Sequence, residues 1–415
     1  MTRRCTRVLI LLAIALLTSV QPHAVSAQDP QPIRVLSIDE ENDFPNGLTF
    51  RIEIEADHPL AEIDFYYRTQ GDPVVTKQPV EFEPDTQVVA TYTWVTSRMT
   101  VAPSSPVLYY WKIRDTEGNH LATPEQLVYY DDQRFPWQEL CDDELIVRWY
   151  KGDEEFGRSV YETAQQSLSR MKEQSGRGLE YPVFVLLYAN EQDFEDWHYY
   201  SADWIAGQAF PPLGITAQIV PSSSGQNWVQ SVIPHEIAHL FFYQAIQGPW
   251  AFWPVWLDEG LAQYYELSDN QAALARAASA SRRGTLIPLD HLYTGFSRDA
   301  AQARLGYDES LSVVTYVLET WGDEGLQGLI VAFHEGELPE VAVQQALGVT
   351  WEDFQSGWIE WMESSNTEAR PTGLLVLLCL GGTGIGVLFL VVCGVLIWWI
   401  VRKRASNEAR HDSGK

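Results

Sequence analysis

Between residues 33 and about 131 apolar side chains recur at every second position, with no helical spacing among them. Leu48, Phe50, Ile52 and Ile54 share one side of their segment, and Ile63, Phe65 and Tyr67 alternate with Glu62, Asp64 and Tyr66 in the same way. Alternation of this kind makes half-buried strands. Similar runs occupy Val88 to Val95 and Val107 to Arg114, and the second turns at Thr116-Glu117-Gly118-Asn119 into a last run near Leu127 to Tyr130. Several short strands at this spacing predict an all-β sandwich of immunoglobulin or fibronectin type over residues 28–132. Its histidines, His58 and His120, stand alone in turns, where neither is expected to hold a metal.

The pattern changes around Phe135-Pro136-Trp137. Leu145 to Tyr150 reads as a strand, Phe156, Val160, Ala164, Leu168 and Met171 recur at helical spacing, and Tyr181 to Tyr188 is again β-rich. This order begins an α/β domain, placed at 138–268. The strong segments after Asn270 are helical: Glu309 to Thr320, Glu324 to His334, Pro339 to Leu347 and Trp351 to Met362, with Gly306, Gly322, Gly336 and Gly348 near the breaks. They form a helical subdomain over 269–363.

Both ends read as membrane-related. Arg3, Arg4 and Arg7 precede an apolar run from Val8 to Leu17 and the small residues Val25-Ser26-Ala27, the layout of a cleaved signal peptide over 1–27. The run is shorter than the roughly 20 residues of a spanning helix, which argues against an uncleaved anchor. After a juxtamembrane linker at 364–373, residues 374–401 carry no charge and end at Trp398-Trp399, ahead of Arg402, Lys403 and Arg404. One transmembrane helix is expected there, with the N-terminal part outside the cell membrane and the tail 402–415 in the cytoplasm. Gly382 and Gly386 form a G-x-x-x-G, a weak signal for a homodimer.

Charge narrows the partners. The formal net charge is −28, and removing both ends leaves 20 basic against 54 acidic residues, or −34, on the exterior part. Such a surface repels polyanions, so neither nucleic acid nor anionic headgroups are expected to bind the exterior part. Of four cysteines, Cys5 lies in the signal segment and Cys379 and Cys393 in the apolar span, which leaves Cys141 outside without a bridging partner.

The chemistry is carried by His235-Glu236-Ile237-Ala238-His239, an H-E-x-x-H. Positions four apart lie about 40° apart on a helix, so both imidazoles reach one ion, while Glu236, about 100° from His235, is free to act on a water. Val229, Val232, Ile233, Leu240 and Phe241 bury the other faces. Pro234 either opens the last helical segment or kinks the helix before His235. A catalytic zinc needs a third protein ligand and an open position. Glu259, in Val255-Trp256-Leu257-Asp258-Glu259-Gly260-Leu261-Ala262, lies 20 positions after His239, enough for a loop with Gly248, Pro249 and Pro254 and a return helix. Asp258 better suits a solvated carboxylate at the helix start.

These residues resemble the gluzincin peptidases, the thermolysin and aminopeptidase N group. Pro-His-Glu-x-x-His followed by Trp-Leu-Asp-Glu-Gly-Leu-Ala looks more closely like the peptidase MA-like metallohydrolases, over roughly residues 140 to 363, with the strong match in the two helices. The resemblance implies a zincin-like catalytic domain with Glu259 as third ligand. It implies a cleft-lining strand within Ile215 to Val220 that pairs with extended substrate, and an oxyanion donor at Tyr307, otherwise a helix-capping aromatic packed on the core. His291 and His334 are alternative donors. No Gly-x-Met-Glu-Asn precedes the motif, so the element that binds a substrate's free amine in aminopeptidase N has no counterpart.

The expectation is a membrane-anchored zinc metallopeptidase, with one Zn2+ on His235, His239 and Glu259, Glu236 as general base, and a peptide or protein as substrate. Two rival readings are a weak or inactive zincin-like surface protein that binds a partner through its sandwich, and a structural zinc protein. The open zinc position and Glu236 oppose the first. Four-ligand structural sites, with Cys141 as the only exterior thiolate, oppose the second.

Overall fold

The computed structural model describes residues 31–96, 101–197, 207–251 and 253–365. The expected signal peptide, apolar span with Gly382 and Gly386, and tail all lie outside them. Among the described residues no helix is long and apolar enough to cross a membrane.

The N-terminal part has eight strands: β1 (Ile33–Asp43), β2 (Gly47–Ala56), β3 (Leu60–Thr69), β4 (Thr76–Pro79), β5 (Gln87–Val95), β6 (Ser105–Asp115), β7 (His120–Ala122) and β8 (Gln126–Tyr130). One antiparallel sheet runs β1-β2-β5; the other runs β4-β3-β6-β7, with β8 also on β6. The period-two residues meet between the sheets. Phe50 of β2 lies 4.6 Å, ring to ring, from both Phe65 of β3 and Tyr109 of β6. β1 lacks a clean apolar alternation because only Ile33 along it is fully buried.

The chain then forms β9 (Gln138–Cys141), β10 (Leu145–Trp149), α1 (Glu154–Ser175), β11 (Val183–Tyr188), α2 (Glu191–Glu195), β12 (Gly207–Phe210) and β13 (Ile215–Ile219). The sheet order is β12-β13-β11-β10-β9, parallel in the middle and antiparallel at both edges. All six residues of β11 are buried, as a central strand covered on both faces requires. Val183, Val185 and Leu187 face the main core with α1, whereas Phe184, Leu186 and Tyr188 face a second cluster that includes Ala102, Phe44 and Tyr129 of the sandwich part. α1 starts where Asp153 accepts the Phe156 N–H and stops where Gly176 turns left-handed.

Charged groups close that second contact. Arg148 of β10 donates to Glu139 at 2.6 Å, to Asp131 at 2.9 Å and to Ser104 at 2.6 Å, and the buried Asp132 accepts from Tyr188 and Arg134.

The helices are α3 (Gln226–Ile246), α4 (Val255–Tyr265), α5 (Gln271–Arg283), α6 (Ala300–His334), α7 (Pro339–Leu347) and α8 (Trp351–Ser365). Several expectations need correction. Pro234 lies inside a continuous α3, and Gly306 lies inside α6; the break falls at Gly322, whose φ of 65° and ψ of −161° split α6 in two. α5, rich in alanine, has too few large apolar residues to show a periodic stripe. β13 is flanked on both sides, so the sheet edge next to α3 belongs to β12. Cys141 is buried and disulfide-bonded, contrary to the expectation of a bridge-free exterior; its partner lies outside the described residues.

Candidate metal centre

Most of α3 is buried: Ile233, Ile237, Ala238, Leu240, Phe241, Phe242, Ala245 and Ile246 all belong to the main core. Val232, His235, Glu236, His239 and Tyr243, spaced three or four apart, are only half-buried. That spacing is one helix face, so the two imidazoles and the carboxyl form the polar stripe of an otherwise apolar helix. α4 brings Glu259 to the same place. Gly260 lets it approach, since a Cβ there would stand 2.4 Å from the Ser310 carbonyl oxygen of α6.

Three donor atoms converge. Glu259 Oε2 lies 3.5 Å from His235 Nε2 and 3.7 Å from His239 Nε2, and all three atoms fall within 4.8 Å of one another. Donors about 2.0–2.2 Å from one tetrahedral zinc stand roughly 3.3–3.6 Å apart, so the set needs little adjustment to hold it. Glu259 Oε2 is also buried without a hydrogen-bond partner, which costs stability unless a cation faces it. By ligand type, spacing and this orphaned oxygen, the residues fit zinc.

Each imidazole is oriented by a further carboxylate. His239 Nδ1–H donates to Asp258 Oδ1 at 2.8 Å, and His235 Nδ1–H to Glu266 Oε1 at 3.1 Å. A carboxylate only accepts, so in the neutral ring that binds a metal each pair selects the tautomer with its lone pair on Nε2. Glu266 is itself held by the Ser231 and Ser268 hydroxyls, at 2.5 and 2.9 Å. Pro234 contributes here: lacking an N–H, it leaves the Gln230 carbonyl without its helical donor, and the Leu267 N–H fills that place at 2.8 Å. The loop carrying Glu266 is thereby pinned to α3.

Four carboxylates surround two imidazoles, and no lysine or arginine pairs with any of them among the described residues. Burial lowers His235, but Glu259 and Glu266 outweigh it and hold the ring well above its usual range. Burial opposes Asp258 and Glu259 at His239 in the same way, and the ring is raised to about 9. Burial raises Glu259 and Glu266, yet His235 beside both, with His239 near Glu259 and the Ser231 and Ser268 hydroxyls on Glu266, keeps them below the ordinary value. Glu236 is raised, by burial first and by Glu259 and Asp258 as well. That is the direction a proton acceptor working near neutral pH requires.

Tyr307 lies two turns into α6 rather than at its head, with Oη 3.5 Å from Glu259 Oε1 and its ring 4.6 Å from that of Phe296. Burial and the Glu259 carboxylate push its hydroxyl pKa up, so it stays a donor. The alternative donors are elsewhere: His334 bonds the Ile246 carbonyl at the end of α3, and His291 is exposed in a short 3-10 turn. His120 bonds only Gly118 of its own turn, and His58 is exposed. Asp258 is a histidine partner, not a solvated carboxylate. Glu266 was not foreseen, although it lies seven residues after Glu259 and so on the same helix face.

A model of the Peptidase MA superfamily matches residues 163–364, just under half of the chain. No curated protein sequence matches. Among solved structures, an aminopeptidase N family protein from Idiomarina loihiensis is 9% identical, with 85% of this chain and 74% of that chain covered and a TM-score of 0.34. A Br derivative of BhCBM56 is 6% identical, with 22% of this chain and 88% of that chain covered and a TM-score of 0.17. At these scores neither likeness bears on function. The family match spans α3, α4 and α6, and so takes in the histidine pair, Glu259 and Tyr307.

Proposed function

We propose that this chain is a zinc-dependent peptidase, exported and held at the cell membrane by its C-terminal apolar stretch. The observation that carries the reading is the convergence of His235 Nε2, His239 Nε2 and Glu259 Oε2 on one point, with no lysine or arginine paired to them among the described residues. Zinc held by these three residues, when bound, supplies a Lewis acid that acidifies a water and polarises a carbonyl. Glu236 neighbours both ligand histidines in the helix, makes no hydrogen bond among the described residues, and has a raised pKa; it takes the proton from the attacking water and returns it to the departing amine. Tyr307 donates to the oxygen on which charge develops. The outer edge of β12 pairs with no strand among the described residues, so extended substrate adds there by backbone hydrogen bonds.

The test is cleavage of a mixed peptide library by the purified chain, with a chelator control and with Glu236→Gln. The parent should cleave and the chelator should stop it. The variant should keep its zinc and lose about 100-fold or more in rate. Equal rates for parent and variant would refute the mechanism, and no cleavage by zinc-loaded parent would favour a binding protein. For the membrane reading, protease added to intact cells should remove residues 28–371 and spare the tail after Arg402. Protection of both parts would overturn it.

A further inference from the structure

Positive charge on this acidic exterior is concentrated. Residues 270–304 contain Arg276, Arg282, Arg283, Arg298 and Arg304 against Asp290 and Asp299, so five of the twenty exterior basic residues lie in this stretch and its net charge is +3. Three of the five, Arg276, Arg283 and Arg304, line one open pocket of about 500 Å³ between α5 and the first turns of α6, together with Ser279 and Asp308. Asp308 holds Arg276 by two 2.7 Å bonds, from Nε and Nη2. That pairing fixes the guanidinium plane and leaves Nη1 to donate elsewhere. Arg283 donates to the Ser279 hydroxyl, and neither Arg283 nor Arg304 has a carboxylate partner among the described residues. Asp299 already accepts the Ala301 and Gln302 N–H groups, so the arginines, not the helix end, make this an anion site.

α5, one face of which lines the pocket, meets the end of the folded unit with its other face. Ser281, between Arg276 and Arg283, has its Oγ 3.4 Å from Glu363 Oε1, near the end of α8. Between Ser365 and the uncharged stretch that begins at Leu374 lie only eight residues, a reach of about 30 Å at most.

We infer that this pocket binds the phosphate of an anionic lipid headgroup and so seats the exterior part on the membrane surface. Arginine forks match phosphate oxygens in pairs, and the volume exceeds a bare phosphate by enough to admit a headgroup. The average charge of the exterior part repels anionic headgroups, and the inference makes this pocket a local exception. The inference rests on the membrane reading above.

Hydrogen exchange on the full chain, reconstituted in lipid nanodiscs, tests it. Discs of pure phosphatidylcholine are compared with discs containing phosphatidylglycerol, and with pure phosphatidylcholine discs plus inorganic phosphate. Amides of residues 276–283 and 300–308 should exchange on the order of tenfold slower with phosphatidylglycerol than without. The double variant Arg283→Gln, Arg304→Gln, which keeps the Arg276 pair with Asp308, should abolish that difference. No slowing with phosphatidylglycerol, or slowing that persists in the double variant, would overturn the inference. Slowing by inorganic phosphate alone would leave an anion pocket and reject the lipid. A chain that does not enter the discs at all would refute the membrane reading, and the lipid assignment with it; a chain that enters without protection refutes the lipid assignment only.

Discussion

Two buried clusters of charge in this protein are built on opposite terms. Where the sandwich meets the α/β sheet, Arg148 and Arg134 answer Glu139, Asp131 and Asp132, and each cation sits within 2.9 Å of a carboxylate. Between α3 and α4, four carboxylates face two imidazoles and, among the described residues, no lysine or arginine, and one oxygen of Glu259 has no donor. The first cluster is complete and fixes a docking geometry. The second has no lysine or arginine paired with it among the described residues, and a dication on three of its donors would supply the missing charge. Buried polar groups that satisfy one another build structure, whereas those that converge unsatisfied mark chemistry.

The comparison breaks most severely at Arg148. Arg148→Met removes the guanidinium that Asp131 and Glu139 share near the junction, and the expected loss is about 3–5 kcal/mol of unfolding free energy by denaturant titration. Zinc content of the folded fraction should not change. A loss of zinc in folded Arg148→Met would mean that the two clusters are one.

Glu309 is a third case, an acid buried with the Ile287 N–H as the one partner of its carboxyl among the described residues. Burial raises its pKa to about 8. The folded state therefore holds a proton that the unfolded chain releases near 4.5, so this contribution to stability is full below that value, falls as pH rises, and is gone above about 8. Glu309→Gln should match the parent at pH 5 and exceed it at pH 9 by on the order of 2–3 kcal/mol. Parallel pH profiles for the two proteins would show that Glu309 finds compensation elsewhere.

A smaller effect separates the two histidine partners. Asp258→Asn and Glu266→Gln each retain an acceptor but lose its charge, and each should weaken zinc binding by about 10- to 100-fold in a chelator competition. Unchanged affinity in both variants would reduce these carboxylates to packing.

Much of this centre was readable in the chain. The H-E-x-x-H spacing encodes a local geometry that any α-helix realises, and loop length leaves room for Glu259 on a return helix, where the family resemblance places the third ligand, so the three donors could be named before they were seen together. The strands of the sandwich were equally plain where alternation is strict, as in β2 and β6. What stayed hidden depends on tertiary contact. Glu266 meets His235 only because Pro234 frees a carbonyl for Leu267, a consequence of missing hydrogen bonding that apolar periodicity cannot express. β12 was missed because four residues without strong alternation carry little signal, and its position at the edge is decided by pairing. Gly306 was read as a break since glycine weakens helices, yet in α6 it sits against Phe296, where a side chain would not fit.

The central claim is that the convergent donors hold one catalytic metal, and metal content across three proteins tests it most directly. Purified parent chain, Glu236→Gln and Glu259→Gln are produced with zinc present and measured by elemental analysis. The account predicts about one zinc per chain in the parent and in Glu236→Gln, and a marked loss in Glu259→Gln, where a neutral amide replaces an anionic ligand. A parent that carries no zinc, or a Glu259→Gln protein that carries as much as the parent, would contradict it.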